Sequence, residues 1–167
     1  MKNSLLDKAL YDVAAQTLEK LALMFLIPQE EADADEIVSG KTARVNFRGP
    51  FSGCVTVTVC PRLLPQLAAN MLGLDEDSRA SGDQQKDALK ELANVLCGNL
   101  LPALAGSEPV FHVGAPTVED AIPAVGQEAP ESQSGFAQLF ADAGLIELRV
   151  FIDKPLPLTA AAPTAAF

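Results

Sequence analysis

The sequence predicts an α+β fold, a mainly antiparallel sheet with two long pseudo-symmetric helices packed on one face. Three observations predict it. Two segments, Leu5 to about Ile27 and about Gln84 to Ala105, carry apolar residues at the period of an amphipathic helix. Two others, Ala43 to Val59 and Phe136 to Asp153, break into paired strands around short turns. Each long helix precedes one of these hairpins, so the chain reads as an internal helix–hairpin repeat. Hairpins with one apolar side need a covering layer, and the two helices supply it.

The elements follow in order. Ser4 is placed to cap the first helix, whose wide apolar face takes Leu6, Leu10, Val13, Leu18, Leu21, Met24 and Phe25, and Pro28 ends it. Gln29 to Gly40 is acidic and loop-like. Ala43 to Phe47 and Phe51 to Val59 form two strands joined through Arg48-Gly49-Pro50, with Val55, Val57 and Val59 alternating against Thr56 and Thr58. Pro61 starts a short helix that Gly73 stops after Leu72. Leu74 to Gln85 is a polar loop, and Asp83 is a fair N-cap for the second long helix. Val110 to Val113 is a short strand. Gly114 to Gly135, rich in Pro, Gly and acids, is expected to be an exposed excursion. The last hairpin pairs Phe136 to Phe140 with Leu145 to Asp153 and turns at Asp142-Ala143-Gly144. Residues 1–154 make one domain, and the Ala/Pro-rich stretch 155–167 has little to bury and reads as a weakly ordered tail.

At 167 residues and 49% hydrophobic content, the chain suits one well-packed domain. Its net charge of −10 argues against nucleic acid, since phosphate binding needs clustered Lys and Arg. No apolar run reaches the 18 or so residues of a membrane span. Cys54, Cys60 and Cys97 form no CxxC pair, and their odd number fits free thiols and a cytoplasmic location.

The informative stretch is Asp87-Ala-Leu-Lys-Glu91-Leu-Ala-Asn94. At about 100° per residue, Leu89, Leu92, Ala93, Leu96 and Leu100 share one arc, while Asp87, Glu91, Asn94 and Gly98 share the opposite stripe. A carboxylate and a carboxamide one turn apart, beside a glycine that leaves the backbone bare, form a candidate reactive surface for something outside the molecule. Gly98 costs about 1 kcal/mol relative to Ala inside a helix, so either a partner approaches there or a neighbouring helix packs there. Asp87 also reads as an ordinary first-turn acid favoured by the helix dipole.

An acidic residue, three residues, Glu, two residues and Asn on an amphipathic helix resemble the CheC/CheX/FliY family of chemotaxis phosphatases. The resemblance extends to Leu67-Ala-Ala-Asn-Met-Leu-Gly73, to Asn94-Val-Leu-Cys-Gly-Asn99, and to Pro116 a little over twenty residues beyond Asn94, one residue short of the family spacing. It covers roughly Leu5 to Asp153. The family removes the phosphoryl group from the phospho-aspartate of a response regulator. The resemblance implies Asn94 and Glu91 as catalytic residues and Asp87, Gly98 and Pro116 as partner-facing ones. It implies no metal or cofactor on this chain; Mg²⁺ is expected in the phosphorylated CheY-type partner. Aligning the repeats sets Lys20 against Glu91 and Leu23 against Asn94, so the chain carries one site, as in the CheX branch, where CheC carries two.

An acyl phosphate is hydrolysed by a water held in line with the P–O bond. A neutral amide both donates and accepts, so Asn94 can orient that water without becoming charged. Glu91 fits the regulator's active-site Lys as a salt-bridge partner. The alternative function is a non-catalytic regulator-binding or flagellar-switch-like module. His112 has no ligand-type neighbour at useful spacing, and no phosphate loop or nucleophile elbow occurs. A homodimer is expected, partly from the resemblance and partly because the apolar strands Val55 to Val59 and Leu145 to Ile152 leave edges to protect.

Overall fold

The computed structural model describes residues 4–29, 40–120 and 132–156. The acidic run from Glu30 to Glu36, most of the Pro/Gly-rich excursion and the tail beyond Leu156 lie outside the described residues.

The chain runs α1 (Ser4–Leu21), β1 (Leu26–Ile27), β2 (Lys41–Arg48), β3 (Gly53–Val59), α2 (Leu64–Leu72), α3 (Gly82–Ala105), β4 (His112–Val113), β5 (Thr117–Glu119), β6 (Gln133–Ala141) and β7 (Gly144–Ile152). The strands form one antiparallel sheet in the order β1-β6-β7-β3-β2-β4, with β5 on the same flank of β2 as β4. This is the α+β fold with helices over the sheet that the patterning predicts, the short helix stopped by Gly73 included, although α2 opens at Leu64 and not at Pro61.

The order explains the repeat. Each half is a long helix, a short edge strand and a hairpin, but the edge strands are exchanged. β1 lies against β6 of the second half, and β4 and β5 lie against β2 of the first. The centre is β3 against β7, one strand from each hairpin, in register from Gly53↔Ile152 to Val59↔Ile146. The helices cross over similarly: α1 packs on β6 and β7, α3 on β2 and β3, and the two touch side by side. Their apolar faces, Leu6, Leu10, Ala14 and Leu18 from α1 and Leu89, Leu92, Leu96 and Leu100 from α3, meet Ala43, Val45, Val55, Val57, Ile146, Leu148 and Val150 of the sheet in one core. At about 1.5–3 kcal/mol for each fully buried large apolar side chain, this packing sets both helices firmly on the sheet.

Four expectations need correcting. The first helix stops at Leu21, well short of Ile27, because Leu23 takes a left-handed φ of 50° and the Met24 N–H returns to the Leu18 carbonyl at 3.2 Å. The chain then re-enters the sheet as β1, leaving Phe25 85% exposed where the helical pattern placed it in the core. The cap of α3 is Ser81, and Asp83 lies in the first turn. Ser81 Oγ accepts from the Gln84 N–H at 3.2 Å, and Gln84 Oε1 accepts from the Ser81 N–H at 2.8 Å. The excursion after Gly114 contains β5, held by Ala43↔Val118 pairing. The strands thought to leave edges, β3 and β7, are the two central ones, and the flanks are β1 on one side and β4 with β5 on the other.

Candidate functional site

The 24-residue α3 is the platform. At about 1.5 Å per residue it is roughly 36 Å long. The reciprocal cap satisfies its first free N–H groups. Leu89, Leu92, Leu96 and Leu100, each 0–1% exposed, hold its inner face on the sheet. On the outer face Asp87, Glu91, Asn94 and Gly98 are all exposed, in the one stripe the spacing predicts. Glu91 and Asn94 are three positions apart, which puts their Cβ atoms about 5–6 Å from each other. Among the described residues no hydrogen bond or ion pair engages the side chains of Asp87, Glu91 or Asn94. The pair therefore stands ready for groups outside the chain.

A Cβ built on Gly98 meets nothing within 4 Å. Among the described residues no neighbouring helix packs there, and the glycine lies open on the stripe of Asp87, Glu91 and Asn94. Pro116 is half-buried in the link between β4 and β5, the sheet flank that borders α3.

Two side-chain ties near this helix escaped the sequence reading. Asn99 Nδ2 donates to Thr17 Oγ1 at 3.2 Å, tying α3 to α1 one residue after Gly98. Thr17 is buried at 5% exposure, so its hydroxyl needs such a partner. Lys41 Nζ contacts Asp120 Oδ1 at 2.6 Å, joining the start of β2 to the end of β5. This hydrogen bond, with the Lys41 charge and a smaller contribution from Lys86 of α3, holds the Asp120 carboxyl below its ordinary range. Both are long-range pairings with no local signature. Pro102 lies inside α3, four residues after Gly98.

A ring of aromatics fixes the chain beyond α3. Phe47, Phe51 and Phe111 meet edge to face with centroids 5.0–6.1 Å apart, joining the turn of the β2–β3 hairpin to the segment that leads into β4. Gly49 makes room for it, since a Cβ there would lie 2.5 Å from the Phe111 ring.

The family model for the chemotaxis phosphatase CheX matches residues 41–135, which include the whole of α3 and Pro116. The chain belongs to the CheX family. Solved structures share its fold. The chemotaxis protein CheX from Desulfovibrio desulfuricans is 19% identical, with a TM-score of 0.67 over 88% of this chain and 98% of that one. CheX from Vibrio vulnificus is 18% identical, with a TM-score of 0.66 over 87% and 94%. The CheX–CheY–BeF3–Mg²⁺ complex from Borrelia burgdorferi matches at 16% identity and a TM-score of 0.64 over 88% and 97%. No curated protein matches the chain significantly. Glu91 and Asn94 both lie within the matched residues. α1 ends at Leu21, before Leu23, whereas α3 continues past Asn94 to Ala105, so the two helices do not keep the register that set Lys20 against Glu91 and Leu23 against Asn94.

Among the described residues, no three His, Cys, Asp or Glu side chains cluster as a metal site, and no helix is long and apolar enough to cross a membrane. His112 is exposed on β4. The three cysteines are free and buried; burial pushes the Cys97 thiol up to about 11.

Proposed function

We propose that this chain is a phosphatase for the phospho-aspartate of a CheY-type response regulator, with Asn94 and Glu91 as its catalytic residues. One observation carries the reading. The family's Glu and Asn stand exposed one turn apart, without internal partners, on a helix whose opposite face is locked into the core. Asn94 holds the attacking water in line with the P–O bond, accepting from the water while its N–H₂ donates elsewhere. Glu91 pairs with the regulator's lysine and sets how deeply Asn94 enters. Mg²⁺ neutralises phosphoryl charge and comes with the regulator's own acidic pocket. That the Borrelia burgdorferi relative was solved with CheY supports a receiver of this type as partner. Asp87, one turn before Glu91, and Pro116, on the sheet flank that borders α3, are further contacts for the same partner.

The test is phosphate release from phosphorylated CheY-type regulators with Mg²⁺, with and without the protein. Acceleration supports the phosphatase. Binding without acceleration moves the regulator-binding module ahead.

We also propose a homodimer through the β1 flank of the sheet. Among the described residues β1 pairs with Phe140 and Ala141 of the nine-residue β6, and Phe25 beside it is 85% exposed.

A further inference from the structure

Pro102 sits inside α3, four residues after Gly98. In an α-helix the N–H of residue 102 is the donor for the carbonyl of residue 98. Proline has no N–H, and its ring pushes that carbonyl away from the helix axis. Gly98 contributes no side chain to shield its own backbone, and among the described residues nothing beyond the helix's own backbone comes within 4 Å of where a Cβ would be. Both residues are exposed on the outer face of α3. The Gly98 carbonyl, one turn beyond Asn94, therefore lacks its regular helical donor and lies on an exposed part of the helix.

We infer that the Gly98 carbonyl is a docking acceptor for an N–H donor of the receiver domain that the Glu91–Asn94 pair works on. The inference rests on the function proposed above and extends its contact surface by a full turn. Continuity with the proposed site identifies the occupant: Gly98 lies on the same exposed stripe as Asp87, Glu91 and Asn94, one turn further along, so a receiver seated on that pair also reaches it. The two residues cooperate: proline frees the acceptor, and glycine lets the partner's backbone come close enough to use it. A helix with neither would be more stable in isolation by the propensity of both positions.

Pro102→Ala returns the missing N–H to Gly98 and leaves Glu91 and Asn94 untouched. We expect it to raise the melting temperature and to weaken binding of a Mg²⁺–beryllofluoride-loaded CheY-type receiver about three- to tenfold, the range of one neutral hydrogen bond. The Gly98 carbonyl ¹³C resonance of the wild-type protein should shift on adding the same receiver. Higher stability with unchanged receiver affinity, or a Gly98 carbonyl resonance that does not move in the complex, overturns the inference while leaving the phosphatase reading intact. A wild-type protein that binds no receiver overturns both. If Pro102→Ala does not fold, the wild-type resonance still decides.

Discussion

Replacing Asn94 with Ala separates chemistry from folding, because the structure predicts opposite signs for the two. Asn94 is exposed, engages no described side chain, and lies outside the buried Leu89–Leu100 face. Its loss removes no core contact. Ala is the better helix former by about 0.5 kcal/mol, and for a chain of this size that raises the melting temperature by about 1–2 °C. Turnover should move the other way. Removing one preorganised hydrogen-bonding group from a transition state costs about 10²–10³ in rate, or about 3–4 kcal/mol. Because Asn94 acts on the water, the loss should fall on the rate of phosphate release at saturating regulator, with the affinity for the regulator changed little. Glu91→Ala is the contrast, since a docking ion pair acts before and during the step; affinity should fall about tenfold along with the rate. The assay is phosphate release against regulator concentration for the three proteins, with melting curves beside it. Asn94→Ala working at the wild-type rate refutes the water-holding role. A melting temperature several degrees lower refutes the claim that the stripe is free of structural duty.

The remaining expectations are independent of that pair. Gly49→Ala should destabilise by about 1–3 kcal/mol, because the new Cβ lands 2.5 Å from the Phe111 ring and 2.9 Å from the Val110 carbonyl; thermal unfolding measures it. Asp120 should titrate below 3.8 by NMR, and Lys41→Ala should return it towards that value. A carboxyl depressed in the folded state stabilises above its unfolded pKa and loses that contribution as pH falls through the folded one, so any effect of Lys41 on stability belongs above about pH 4 and fades in acid. Phe25→Glu should shift a light-scattering mass from two chains to one, and a wild-type mass of one chain removes the dimer.

The helix α3 was legible because two patterns reinforce each other there. Leucines at the helical period define the buried face, and the polar stripe opposite them keeps its own register. The capping box was equally present in Ser81 and Gln84, but the nearer Asp83 drew the assignment. The end of α1 was not legible. Leu21, Met24 and Phe25 continue the apolar period, and nothing in Leu23 announces a left-handed backbone; pairing with β6 wins over local propensity. β5 was hidden by its length of three residues and by the prolines around it. Which strands lie at the centre is a long-range fact, and alternation within Val55 to Val59 says only that one side is buried.

The exchange of edge strands also has a consequence for how the chain reaches this shape. Its central pair, β3 with β7, joins residues roughly ninety positions apart, so the loop closed by that pairing spans more than half of the molecule. Neither half has a finished sheet to offer, because each lends its short strand and much of its helix packing to the other. Local hairpins and helices can form early, but the seam between them closes only when nearly the whole polypeptide is available. A nascent chain released before Ile152 would lack the last partner of β3, and assembly should be all-or-none and slow for a protein of this length.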